Sequence, residues 1–334
     1  MKIDSGLGME LPRVADRVGA AEAAGLDCVW AAETTNDPFL SLTLAAEHST
    51  SVSLGTGIAV AFARNPMSMA YTTNQLQGYS GGRVVLGMGS QVRRHIEKRF
   101  SSPWSHPAAR MREYVLALRA IWASWNEGAT LRFEGEFYTH TLMTPFFDPG
   151  PNPYGNPKIL LAAVGELMTE VAGEVADGLL SHGFTTERYL REVILPAVDR
   201  GLARSGRDRD AFEVTCPGFI SVVEDPSKME KARNAMRNHV GYYASTPAYR
   251  PVLELHGWGD LQSELNTLSK RGEWVQMGEL IDDDILNAFA VVAPLDQVAA
   301  EVRSRFGDLV DRFSFYAPYK VDPEMWKSVV AGFK

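Results

Sequence analysis

Short apolar runs rich in Val, Ile, Leu and Phe alternate along the chain with longer stretches of helical period, the pattern of a parallel sheet whose strands are joined by covering helices. The first helix is predicted over residues 11–24, where Val14, Val18 and Ala21 share one face, Arg13, Asp16, Arg17 and Glu22 fall elsewhere, and Gly25 is placed to end it. Beyond a strand at the start of the chain, strands are predicted over 27–32, 53–62, 83–87, 159–163, 178–181, 212–223 and 312–316. Helices are predicted over 38–48, 66–79, 107–125 and 294–306. Eight strand candidates separated by helices predict an α/β fold, a (β/α)8 TIM barrel. Two excursions interrupt the rhythm. The first, after strand four, spans about 126–157 and is rich in Gly, Pro, Asn and aromatic residues; the second, between strands seven and eight, spans about 245–290, where Leu261, Leu265 and Leu268 predict short helices. With no composition break or low-complexity linker, residues 1–334 read as a single domain.

Composition narrows the function classes. The 334 residues, 45% of them hydrophobic, are enough for one large core. Lys and Arg number 33 against 41 Asp and Glu, and the net charge of -8 disfavours a non-specific grip on nucleic acid or anionic lipid. Cys28 and Cys216 sit in separate apolar runs with no Cys-x-x-Cys spacing, which suits a reducing cytoplasm. No apolar run approaches 18 residues, so the expectation is a soluble, untargeted cytoplasmic protein with no membrane partner. Neither His-x-His nor His-Glu-x-x-His occurs for a metal.

In such barrels, chemistry gathers where strands end and helices begin. Strand two ends in Glu33-Thr34-Thr35-Asn36-Asp37-Pro38, which brings a carboxylate to the rim, while Asn36 and Asp37 suit capping of the helix at Pro38. Strand three ends in Gly55-Thr56-Gly57-Ile58, whose glycines permit backbone to approach a planar ligand. Strand four ends in Gly87-Met88-Gly89-Ser90-Gln91, a Gly-x-Gly turn without the third glycine of a dinucleotide fingerprint or the lysine of a Walker loop. The helix after it, 92–100, carries Arg93, Arg94, His95, Lys98 and Arg99 around Val92 and Ile96, either a site for an acidic ligand tail or an ordinary solvated face. Strand six ends at His182, a proton-exchanging group or a structural histidine.

Four segments in this order carry a resemblance over nearly the whole chain: Ala24-Gly25-Leu26-Asp27-Cys28-Val29-Trp30, Leu54-Gly55-Thr56-Gly57-Ile58, Gly81-Gly82-Arg83-Val84-Val85-Leu86-Gly87-Met88-Gly89 and Ala172-Gly173-Glu174-Val175-Ala176-Asp177-Gly178. The chain resembles the luciferase-like monooxygenase superfamily. Ser90-Gln91-Val92, His95-Ile96 and Pro103-Trp104 make it most similar to the branch that uses coenzyme F420. The resemblance implies a non-proline cis peptide at Gly57-Ile58 against the cofactor ring, an acid near the ring at Glu33, and a ring-edge turn at Gly89, Ser90 and Gln91. It also implies a phosphate-receiving segment at Ala163, Val164 and Gly165. Two departures leave the proton donor unassigned: a histidine common beside the acid is Thr34, and a glutamate of some relatives is Val92. Glu33, His95 and His182 are the candidates for proton handling.

What the resemblance implies is an F420-dependent oxidoreductase that moves a hydride to or from a small organic substrate and works as a homodimer. An FMN-dependent monooxygenase of the same superfamily is the sister reading. A non-catalytic flavin-binding or deazaflavin-binding protein is the reading from another class.

Overall fold

The computed structural model describes residues 1–317 and 323–334. Eight parallel strands close into a (β/α)8 barrel: β1 (Lys2–Gly6), β2 (Cys28–Ala31), β3 (Ser53–Thr56), β4 (Val84–Gly89), β5 (Lys158–Ala163), β6 (Gly178–Ser181), β7 (Glu213–Val223) and β8 (Arg312–Tyr316). The chain divides into two compact units.

The larger unit comprises residues 6–180 and 197–213 and orders its strands β2, β3, β4, β5, β6. Between them run α1 (Val14–Ala24), α2 (Pro38–Glu47), α3 (Pro66–Tyr79), α4 (Arg93–Lys98), α5 (Pro107–Asn126) and α6 (Glu166–Val175). Local chemistry sets their ends. Gly25 closes α1 in the left-handed conformation at φ 75°, which glycine adopts without penalty. Asp37 caps α2 by accepting from the Phe39 N–H at 2.9 Å, and Asn65 caps α3 by accepting from the Ser68 N–H at 2.8 Å, each with proline at the first helical position. Inside, Cys28, Trp30, Val85, Leu160 and Leu180 form a buried cluster against which Ile58 and Ala162 pack.

Strand three is shorter than the pattern predicts. It stops at Thr56, the Gly57-Ile58 peptide is cis, Ala59–Val60 pair with Met88 and Gly89, and Ala61–Ala63 form a 3-10 turn. The first excursion is not wholly loop. Phe133–Glu134 and Thr139–His140 make a small antiparallel hairpin, and the Glu113 carboxylate of α5 accepts from the Glu136, Phe137 and Tyr138 N–H groups at 2.9, 2.7 and 2.6 Å. A Cβ on Gly135 would fall 2.2 Å from Glu113 Oε1, so the carboxylate would have to shift to admit one.

The smaller unit comprises residues 1–5, 181–196 and 214–334. Lys2, Ile3 and Asp4 of β1 pair with Arg312, Phe313 and Ser314 of β8, and Thr215 to Phe219 of β7 pair with Arg312 to Tyr316. The buried Asp4 carboxylate accepts two bonds from the Arg312 guanidinium, at 2.9 and 2.8 Å. A strand outside the predicted set, Ala290–Pro294, adds to the far half of β7 at Phe219 to Val223. The helix expected from 294 therefore begins at Val298. The second excursion folds into helices over Arg250–Leu255, Gly259–Arg271, Trp274–Glu279 and Asp283–Phe289; of the three leucines that predict helix there, Leu265 is the fully buried one.

Candidate active site

In the larger unit the rim groups assemble around the Gly57-Ile58 bond. The Gly57 N–H donates to the Ala31 carbonyl at 2.8 Å, and the Glu33 N–H donates to the Ile58 carbonyl at 3.2 Å, so the main chains after β2 and β3 are tied together. An added Cβ would force a shift on both sides. A Cβ on Gly55 would sit 2.3 Å from the Trp30 indole, and one on Gly89 would sit 2.8 Å from Ile58 Cδ1. Gly57 itself is exposed and Ile58 half-buried, which leaves this edge of backbone open on one side and packed on the other.

The Glu33 side chain is only 7% exposed, a costly place for a carboxylate without partners. Arg64 supplies them. Its Nη1 reaches Oε1 at 2.7 Å and Oε2 at 2.6 Å, while the Val60 N–H donates to Oε2 at 2.7 Å. The other arm of Arg64 binds Asp37 Oδ2 at 2.7 Å, and the guanidinium lies 5.6 Å from the centre of the Phe39 ring. Burial opposes the charge on Arg64, yet the bonds and charges of Glu33 and Asp37 outweigh it and hold the guanidinium above its ordinary pKa.

Asp37 thus both caps α2 and steadies Arg64, whereas Asn36 donates to the Met9 carbonyl and takes no part in the cap. The turn after β4 holds Gln91 at φ 61°, where its side chain accepts from the Val92 N–H at 2.9 Å and its carbonyl accepts from Ser90 Oγ at 3.1 Å. After β5, Ala163 is buried, Val164 half-buried and Gly165 exposed. Gly165 begins α6 without a side-chain cap, and a Cβ there would meet nothing within 4 Å. The N–H groups of the first turn are open to an anion from that side.

The structure brings Glu33, Gly57, Ile58 and Gly89 together, and His95 stands exposed on α4. Arg93, Arg94, His95, Lys98 and Arg99 are exposed around the buried Ile96, with Arg93 paired to Glu97 at 2.9 Å and Arg99 donating to the Thr34 carbonyl at 2.5 Å. His95 makes no side-chain hydrogen bond among the described residues.

His182 belongs to the smaller unit, one residue past β6. Its Nδ1 accepts from the Phe184 N–H at 2.9 Å, and its Nε2 lies 2.9 Å from Tyr249 Oη. The two rings lie 4.5 Å apart, with Tyr243 at 5.4 Å from the imidazole. Burial pulls the His182 pKa down to about 4, so the ring is neutral near pH 7. Tyr243 and Tyr316 share a 2.5 Å hydroxyl contact, and burial is the largest cause that raises the Tyr243 pKa.

Arg64, Tyr243, Tyr249 and Tyr316 were not singled out by the sequence reading. Arg64 has one local signal, a lone cation directly before the Asn65-Pro66 helix start; the tyrosines have none.

Among the described residues no helix is long and apolar enough to cross a membrane. The family model described as luciferase-like monooxygenase matches residues 3–312. An uncharacterized protein of Mycobacterium tuberculosis is 57% identical over 312 residues, 93% of this chain and 92% of the relative. The F420-dependent glucose-6-phosphate dehydrogenase of Intrasporangium calvum is 30% identical over 86% of this chain and 92% of its own length. Among solved structures, the coenzyme F420-dependent tetrahydromethanopterin reductase of Methanopyrus kandleri superposes with a TM-score of 0.79 at 20% identity, covering 99% of this chain and 96% of that one.

Proposed function

The chain belongs to the luciferase-like monooxygenase family, and on that premise we propose that it is an F420-dependent oxidoreductase that transfers a hydride between the deazaflavin and a small organic substrate. The observation that carries this reading is the Gly57-Ile58 backbone edge, open on one side and backed by Gly89, whose missing Cβ leaves room for Ile58 Cδ1. A flat heterocycle fits such a surface, because no side chain projects from Gly57. The F420 dependence in the name of the Intrasporangium calvum relative supports the choice of cofactor.

When bound, F420 supplies a two-electron hydride carrier. In this proposal Gly57 and Ile58 support the ring, Gly89, Ser90 and Gln91 meet its edge, and Ala163, Val164 and Gly165 receive the phosphate at the uncapped start of α6. Glu33, gripped by Arg64 and the Val60 N–H, acts as a fixed acceptor that orients the ring. The exposed basic face around His95 attracts an acidic cofactor tail. His182, whose Nε2 lies 2.9 Å from Tyr249 Oη, handles a proton only by way of that phenol. A homodimer belongs to the same proposal, supported by Leu40 and Tyr79, which stand 60% and 57% exposed on α2 and α3.

A second reading, an FMN-dependent monooxygenase, is supported by the monooxygenase description of the family model that matches residues 3–312. Paired calorimetric titrations separate the two. Saturable F420 binding with FMN at least about tenfold weaker, a difference of about 1.4 kcal/mol, is expected. Micromolar FMN affinity with none for F420 overturns the proposal.

A further inference from the structure

The imidazole of His182 has a fixed tautomer. Nδ1 accepts from the Phe184 N–H at 2.9 Å, so that nitrogen carries a lone pair and no proton. In a neutral ring the proton must then be on Nε2, where it is donated to Tyr249 Oη, 2.9 Å away. A phenol has one proton and two lone pairs. With one lone pair occupied by His182, the Tyr249 proton points elsewhere, and among the described residues no acceptor takes it. Tyr243 does not take it either, since the hydroxyl contact of Tyr243 is with Tyr316, at 2.5 Å.

We propose that Tyr249 is a ligand-binding residue that donates its phenolic proton in a hydrogen bond to a carbonyl or alcohol oxygen of a small molecule, with His182 as the positioning residue behind it. The surroundings define the rest of the ligand. Half-buried Tyr243 lies 6.2 Å from the Tyr249 ring, centre to centre, and fully buried Phe184 backs that ring at 5.5 Å, so the surface beside the hydroxyl suits an apolar or aromatic body. Tyr249 is half-buried and its pKa is pushed up to about 12, chiefly by burial, so it remains a donor throughout the neutral range. A hydrogen bond from Nε2–H makes the phenol a stronger donor in turn, since successive bonds polarise one another. The inference rests on the proposed function only in taking this ligand for the substrate; the donor itself needs no cofactor.

The test has two parts, both on the full chain without cofactor. Long-range 1H–15N correlation of 15N-histidine protein, with His182 assigned through His182→Gln, is expected to show Nε2 protonated and Nδ1 bare. Calorimetric titration with benzaldehyde and cyclohexanone, and with toluene as the oxygen-free control, is expected to show binding of at least one carbonyl. Tyr249→Phe should weaken that binding about fivefold, the worth of about 1 kcal/mol for one hydrogen bond, and leave toluene unchanged. A protonated Nδ1, equal carbonyl binding by wild type and Tyr249→Phe, or no carbonyl binding would each overturn the proposal. A lack of F420 affinity would instead count against the cofactor reading and leave this donor standing.

Discussion

Arg64 grips both carboxylate oxygens of Glu33, at 2.7 and 2.6 Å, across 31 residues of sequence. The pair joins the ends of β2 and β3 by the same contact that neutralises a nearly buried charge at the rim. Removing the cation strands the carboxylate. Arg64→Leu is expected to cost about 2 to 3 kcal/mol in urea unfolding, below the range for a fully buried pair because Arg64 keeps 20% exposure. Glu33→Gln, which keeps hydrogen-bonding atoms, is expected to cost about 1 kcal/mol. Equal, negligible losses for both would show that the ion pair does not hold the rim.

Two glycine substitutions separate packing from ligand access. Gly55→Ala places a methyl 2.3 Å from the Trp30 indole and is expected to destabilise by about 1 to 3 kcal/mol. Gly165→Ala meets nothing within 4 Å and sits at an ordinary φ of -96°, so the thermal midpoint should be kept. If an anion approaches the start of α6, the added methyl obstructs it, and F420 titration should show affinity about tenfold lower. Unchanged affinity would remove Gly165 from the cofactor site.

The barrel's elements were legible where an apolar run meets a clear stop. The predicted bounds of α3, β6 and β8 match the structure; Asn65-Pro66 marks the start of α3, and Gly178 and Arg312 open the two strands. The third strand ran too long in the sequence because Ala59 and Val60 continue the apolar pattern, and hydropathy carries no sign of a cis bond. Ala290–Pro294 went unassigned because it is short and lies between the second excursion and the helix predicted from 294. Of the candidate site, strand-end residues such as Glu33 and His182 could be named, since their position follows from the strands. Their partners could not. Arg64 and Tyr249 lie 31 and 67 residues from the groups they touch, and no periodicity links such pairs.

Acid should destabilise the fold through His182. Its folded pKa of about 4 lies below the ordinary 6.5, so between those values the unfolded chain binds the extra proton. The contribution is complete above pH 6.5 and falls away as pH drops toward 4, by at most about 3 kcal/mol. Denaturant midpoints of wild type and His182→Gln across that range check the sign. The wild-type curve should fall more steeply, and parallel curves would show that His182 does not set the slope.

The central claim is that a planar redox ring rests on the main chain at Gly57-Ile58. A crystal structure of the chain with F420 tests it most directly. The account predicts the ring within about 4 Å of the Gly57 and Ile58 backbone, with the phosphate at the first turn of α6. A ring bound elsewhere, with that backbone edge covered by side chains, would contradict it.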